Sequence, residues 1–321
     1  MLDYYKKLLK INNIPSFLEK YLVCLSLMRL KKVGYFCGMD YASRDIYDFS
    51  EYISRYDHSL TVALLIYKLT KNKLYTLAGL FHDVSTPCFS HVIDYMNNDY
   101  ENQESTEEYT SNIINNDSYL KSCLKKDNIN VSDIINFKKY HIVDSKRPCL
   151  CADRLDGIIL TGVGWTKNIT KKDIYNIVND VILYNNENND LEIGFKSISI
   201  AKKVMEINNS IDKECHSKED NYMMMLLAKI TKLAIENNYI SYSDLYKYNE
   251  DQIFDIFNGI NNLLFKELLD EFKSIKKKDI KNINIPNIKQ RKINPLVNGK
   301  RLVWKIKLWI RLKNIYLVNK I

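Results

Sequence analysis

Across 321 residues, 46% hydrophobic and 27% charged side chains describe an ordinary globular chain with enough apolar mass for a sizeable core, which excludes a disordered or collagen-like one. The net charge of +8 is unevenly spread: residues 273–320 are strongly basic and residues 99–108 acidic. A basic tail attracts phosphate-rich partners (nucleotides, nucleic acid or anionic lipid), although a solvated charged face is the plainer reading of such a run.

Only 9 Gly and 5 Pro interrupt the chain, so long helices and a mainly α fold are expected. No run of about 18 apolar residues is present and the start lacks an apolar leader, so neither a transmembrane segment nor a signal peptide is expected. The 7 Cys are scattered, and Cys149 and Cys151 form a lone C-x-C with no second thiolate pair for a zinc site. A reducing cytoplasm is the default expectation.

Phe17, Tyr21, Leu22, Leu25 and Met28 recur at helical spacing and predict a helix over 16–30. Residues 31–41, with Gly34 and Gly38, read as a turn-rich crossing. Residues 54–70 read as an amphipathic helix, Lys71-Asn72-Lys73 as a short connection, and residues 74–82 as a second helix. His58 lies near the start of the first and His82 at the end of the second. In an antiparallel hairpin those two places share one end.

Pro87 breaks the pattern, and residues 91–96 form at most a short helix. Ser105-Thr106-Glu107-Glu108 offers N-cap chemistry. Further helices are expected over 129–137, 148–160, 173–184, 198–207 and 222–236, with Met223, Met224 and Met225 as core filler. Beyond about residue 280, two prolines and alternating apolar residues in 283–286 and 291–302 predict a short strand pair. Residues 303–311, which mix cations with large apolar groups, are expected to dock on the chain's own core. The domain expectation is a helical domain over 1–270 and a small basic α/β or irregular extension over 271–321.

Four stretches carry ligand-type residues: Arg55-Tyr56-Asp57-His58-Ser59-Leu60, His82-Asp83 closing an apolar helix, Phe89-Ser90-His91, and Asp153-Arg154-Leu155-Asp156. Polar groups at the end of a buried helix are costly unless something pairs with them, and a divalent ion suits imidazole and carboxylate together. In this order the stretches resemble the HD-domain metal-dependent phosphohydrolases, and within them the deoxynucleoside triphosphate triphosphohydrolases. The resemblance covers roughly residues 25–165.

The resemblance implies an HD-domain helical bundle in which His58, His82, Asp83 and Asp153 ligate one divalent ion: Mn, Fe, Zn, Ni or Mg. It implies phosphate contacts from Arg55 and Arg154, a histidine near the phosphates at His91 with Asp94 beside it, and a supporting glutamate at Glu104. Metal-activated water would then hydrolyse a nucleotide or related phosphate ester. The chain also departs from the pattern. Thr86 and Gln103 stand where histidines are expected, and Gly157 and Thr161 where a tyrosine and an aspartate close on the sugar. With those histidines absent, His91 is the best remaining proton donor.

Arg55 also suits an ordinary salt bridge, to Asp57 or Asp153. Asp156 either orients the site or caps a helix, and His141 and His216 match no ligand position. The lost histidines also allow a catalytically silent nucleotide-binding or regulatory protein, and residues 273–320 allow nucleic-acid binding. An uncovered helical face would permit a homo-oligomer.

Overall fold

The computed structural model describes residues 1–101, 109–280 and 284–303. The fold is mainly helical with one small four-stranded sheet. No described helix is long and apolar enough to cross a membrane.

Helix α1 (Arg55–Thr70) starts at a capping box in which the Ser54 hydroxyl accepts the Asp57 amide and the Asp57 carboxylate accepts the Ser54 amide. It stops at Lys71, whose left-handed backbone (φ 55°) turns the chain. Asn72 then caps α2 (Lys73–Phe81) by accepting the Tyr75 amide at 3.0 Å. Two residues thus end one helix and begin the next, and α1 and α2 pack along their length as an antiparallel pair. Gly79 permits this approach, because a Cβ there would lie 2.4 Å from Ile66 Cδ1. Helix α3 (Ala152–Gly164) packs against α1, followed by α4 (Ile198–Cys215), α5 (Lys218–Glu236) and α6 (Glu250–Gly259).

The helix expected over 16–30 is broken into Ser16–Glu19 and Leu25–Arg29. Leu18, Tyr21, Cys24, Leu27 and Leu30 are fully buried while Leu25 is 83% exposed. Burial every third residue matches the tighter geometry of turns and 3₁₀ segments, not the 3.6-residue period of an α-helix. The helix expected over 148–160 begins only at Ala152 and runs on to Gly164, and the one expected over 129–137 shrinks to Val131–Ile135 plus a 3₁₀ turn. Met223 and Met224 are buried, as filler residues should be; Met225 is partly exposed.

The helix expected over 173–184 ends at Asp180, and β-branched Val181 and Ile182 open a strand instead. Strand β1 (Val181–Asn185) pairs antiparallel with β2 (Leu191–Phe195). Strand β3 (Leu296–Val297) lies parallel to β2, and β4 (Lys300–Arg301) returns antiparallel to β3. The strand pair expected near the C-terminus therefore forms within 291–302, while residues 284–286 form no strand. Asn298 (φ 49°) and Gly299 (φ 72°) supply the two left-handed positions of a two-residue hairpin turn. The segment 304–311 and the N-cap stretch Ser105–Glu108 lie outside the described residues.

Arg301 locks this sheet to the helical part. Its guanidinium reaches both Glu187 and the buried Glu192, and Glu192 accepts the Leu150 amide at 3.0 Å. Gly194 lets β3 come in, since a Cβ there would meet the Leu296 carbonyl oxygen at 2.6 Å. Backbone cannot step aside as a side-chain end can, so Gly194→Ala should cost about 1–3 kcal/mol by overpacking, read as a lower urea midpoint. A variant as stable as the wild type would mean that β3 is not seated on β2.

Candidate metal centre

The helix hairpin brings His58 and His82 to one end, with ring centroids 5.1 Å apart. Each imidazole is fixed through Nδ1. His58 Nδ1 donates to Asp156 Oδ2 at 2.8 Å, and His82 Nδ1 donates to the Gly79 carbonyl at 2.7 Å, one of the oxygens a helix end leaves open. Both Nε2 atoms consequently face the same space, the orientation of a metal-binding histidine. His82 Nε2 is buried and has no hydrogen-bond partner among the described residues.

Asp83 and Asp153 complete the group. His58 Nε2 is 3.1 Å from Asp153 Oδ1 and 3.8 Å from Asp83 Oδ2; His82 Nε2 is 3.6 Å from an oxygen of each. His58, His82 and Asp83 alone offer three ligand atoms within 4.8 Å of one another, a group that can hold a metal ion. Asp153 also forms a second such group with Asp144 and Cys151.

Electrostatics agree with the donor set. Burial opposes charge on His58, but hydrogen bonds to Asp153 and Asp156 overcome it and push the imidazole up to about 10. Burial likewise opposes charge on Asp83, yet His82 and Arg55 hold it at about 2. Against the same penalty, His58 and His82 keep Asp153 well below the usual carboxylate range. A site that retains protons this strongly between partly buried carboxylates is equally suited to a divalent cation, which would replace them.

Asp156, which the sequence left between orienting the site and capping a helix, orients it. It is fully buried, and besides His58 it accepts the Tyr5 hydroxyl at 2.6 Å and the Thr61 hydroxyl at 3.0 Å. Arg55 pairs with neither Asp57 nor Asp153: it donates to Asp83 Oδ2 at 2.9 Å and lies over the Tyr35 ring, 4.8 Å from its centroid.

His82, Asp83, Asp153 and Arg55 line a cavity of about 280 Å³. His91 lines it, with Nδ1 held by Asp94 at 2.8 Å so that Nε2 is the atom left for a ligand; burial lowers its pKa. Arg154 lines it too, but its guanidinium donates to the Cys149 and Ser145 carbonyls and stands 3.6 Å from Asp144, bracing the loop before α3. Glu104 and Gln103 lie outside the described residues. Gly157 vacates no empty space, since a Cβ there would be 2.6 Å from the Tyr35 hydroxyl: a tyrosine from a distant segment fills the gap.

The sequence did not single out Tyr35, Arg147, Lys289, Arg291 or Asp220, all of which line the cavity. Arg147 and Lys289 are held down first by burial and then by neighbouring cations: Arg154 and Arg291 around the former, Arg291 and Arg147 around the latter. Such crowding of positive charge in a cleft favours an anion. No spacing rule links residues 147 and 291, so only the fold could reveal them.

Asp156→Asn tests the support of His58 without emptying the site. Loss of such a partner typically weakens metal binding about 10- to 100-fold, measurable by calorimetric titration with Mn²⁺. Unchanged affinity in a folded variant would remove Asp156 from the site.

Residues 55–160 match the HD domain family. The uncharacterized protein YdhJ of Bacillus subtilis is 36% identical over 108 residues, a match that spans 32% of this chain and 32% of that protein. Among solved structures, a hypothetical protein from Aquifex aeolicus aligns over 81% of this chain and 71% of its own, at 15% identity and a TM-score of 0.57. A phosphohydrolase from Bacteroides thetaiotaomicron aligns over 81% of this chain and 74% of its own, at 16% identity and a TM-score of 0.55. These two similarities concern the fold, whereas the family match falls on the segment that carries His58, His82, Asp83 and Asp153. The match identifies an HD domain at residues 55–160, about a third of the chain.

Proposed function

We propose that this protein is a metal-dependent phosphohydrolase whose substrate is a nucleotide or related ester bearing more than one phosphate. The observation that carries the reading is the convergence of two Nδ1-anchored imidazoles and two carboxylates at the end of a cavity that is otherwise rich in arginine and lysine. The phosphohydrolase name of a protein with the same fold supports the reaction class.

His58, His82, Asp83 and Asp153 would hold the ion, which when bound supplies Lewis acidity and a lowered pKa for water. The rest falls to the chain's own residues. Arg55, steadied by Asp83 and Tyr35, presents a guanidinium fork to phosphate oxygens. His91, oriented by Asp94, holds a proton at Nε2 for the leaving oxygen once substrate charge offsets the burial of the ring. Arg147, Lys289 and Arg291 hold the further phosphates, while Phe36, Phe49 and Trp165 give the cavity an apolar side suited to a base.

The deciding experiment is metal analysis of the purified protein coupled to a phosphate-release screen. It would cover deoxynucleoside and ribonucleoside triphosphates, monophosphates and cyclic dinucleotides, with Mn²⁺ and Mg²⁺, for wild type and Asp83→Ala. Turnover that Asp83→Ala abolishes is the expected result. Bound metal and bound nucleotide without turnover would make the protein a sensor, and a wild type that binds no metal would overturn the reading.

A second measurement tests the cationic wall. Lys289→Ala and Arg291→Ala should each raise KM for a triphosphate by about 10- to 100-fold, the value of one charged hydrogen bond. They should raise it far less for a monophosphate. Equal losses on both substrates would remove these residues from substrate selection.

A further inference from the structure

Glu250, the first residue of α6, is fully buried. Its Oε1 accepts the Phe89 amide at 3.1 Å, but its Oε2 has no hydrogen-bond partner among the described residues. Asp40 Oδ2 is buried without a partner in the same way. The two orphaned oxygens face one point. A Cβ on Gly34 would lie 2.8 Å from Asp40 Oδ2 and 2.9 Å from Glu250 Oε2, so the bare glycine lets the two carboxyl groups close around it.

Two ionised carboxylates brought around one glycine out of water repel strongly, and the oxygens left unpaired on each, Asp40 Oδ2 and Glu250 Oε2, add the cost of unsatisfied buried groups. A single shared proton removes both penalties, because the protonated acid becomes a donor to the other oxygen.

The position of this pair in the chain matters. Phe89 (φ 66°) and Ser90 (φ 45°) both adopt the left-handed region that favours glycine, and they immediately precede His91. Such a turn persists only where its surroundings hold it, and Glu250 holds it through the Phe89 amide. On the other side, Gly34 precedes Tyr35, which lies under Arg55, beside His58 and against Gly157. One side chain therefore bridges the two segments that deliver Tyr35 and His91 to the cavity.

We propose that Glu250 is a positioning residue that works as a neutral carboxylic acid, sharing its proton with Asp40 and thereby clasping the Gly34–Tyr35 segment to the Phe89–His91 turn. Burial and the Asp40 charge raise Glu250 from an ordinary 4.5 to about 8, even though the Gly34 and Phe89 amides and Arg55 favour the ion. Burial raises Asp40 to about 6 against Arg44. Arg29, Tyr41, Tyr52 and Cys88 are the other ionisable groups that feel Glu250. Between 4.5 and about 8 the folded chain keeps a proton that the unfolded chain releases. Folding is therefore favoured most at the acid end, and that stability is lost as pH rises through about 8.

The test is thermal unfolding from pH 6 to pH 9, with hydrogen exchange of the peptides spanning residues 84–96, for wild type, Glu250→Gln and Glu250→Ala. The wild type should lose roughly 5 °C or more across the range, with exchange near Phe89 accelerating beyond its intrinsic pH dependence. Glu250→Gln, which carries a permanent N–H donor and no charge, should match the wild type at pH 6 and flatten the loss. Glu250→Ala should be destabilised and fast-exchanging throughout. The proposal is overturned if Glu250→Gln keeps the wild-type slope. It is equally overturned if Glu250→Gln is as damaged as Glu250→Ala at pH 6, which would mean that the native group is an ion. Neither readout involves turnover, so failure here leaves the phosphohydrolase reading standing.

Discussion

A carboxylate sealed from water must satisfy its oxygens from within the protein, and Asp156 does so by joining three separate parts of the chain: Tyr5 near the start, His58 and Thr61 on α1, and its own helix α3. Breaking one contact leaves a buried charge short of a donor, which costs more than the contact itself contributes. Burial and the Asp156 charge in turn keep the Tyr5 phenol from ionising. The imidazole of His58 inherits its orientation from this arrangement. Everything that converges on His58 — His82 across the hairpin, Asp153 one turn earlier on α3, the Tyr35 ring — is placed relative to a side chain that has no freedom to turn.

The cavity has two electrical halves. The end at His58 and His82 concentrates carboxylates, which suits a cation. The remainder gathers guanidinium and ammonium groups from residues 147–154 and 289–291, which outnumber Asp144 and Asp220 there and suit an anion. Arg55 stands between them, neutralising Asp83 on one side while its planar fork remains stacked on Tyr35. A phosphate bound there would meet the cationic lining on one side and, with a cation held by the carboxylates, positive charge on the other.

How much of this was legible in the sequence varied with the range of the interaction. The helix hairpin was readable because its signals are local: Ser54 and Asp57 at one end, Asn72 at the link, and an apolar run that stops at His82. His58 and His82 could be placed together for the same reason. Over 16–30 the apolar residues fitted a helix, yet the structure buries a different set at intervals of three, because packing selects the face and periodicity alone does not. The β1–β2 hairpin was missed since Asp173 to Tyr184 fits a helical pattern until Val181 is pulled into a sheet by Phe195. Tyr35, Lys289 and Arg291 reach the cavity through long-range pairing, which leaves no mark on neighbouring residues.

The pairing of β3 with β2 involves only two residues on each side, yet Lys289 and Arg291 lie a few positions before it. Their place in the cavity depends on a contact that closes a loop of about a hundred residues, among the slowest kinds of contact for a chain to make. The four ligand-type residues all lie within the earlier HD segment. Lys289 and Arg291 are thus joined to the cavity by contacts far longer in range than those that bring His58 and His82 together. The cationic side of the cavity is therefore the part whose placement rests on long-range pairing.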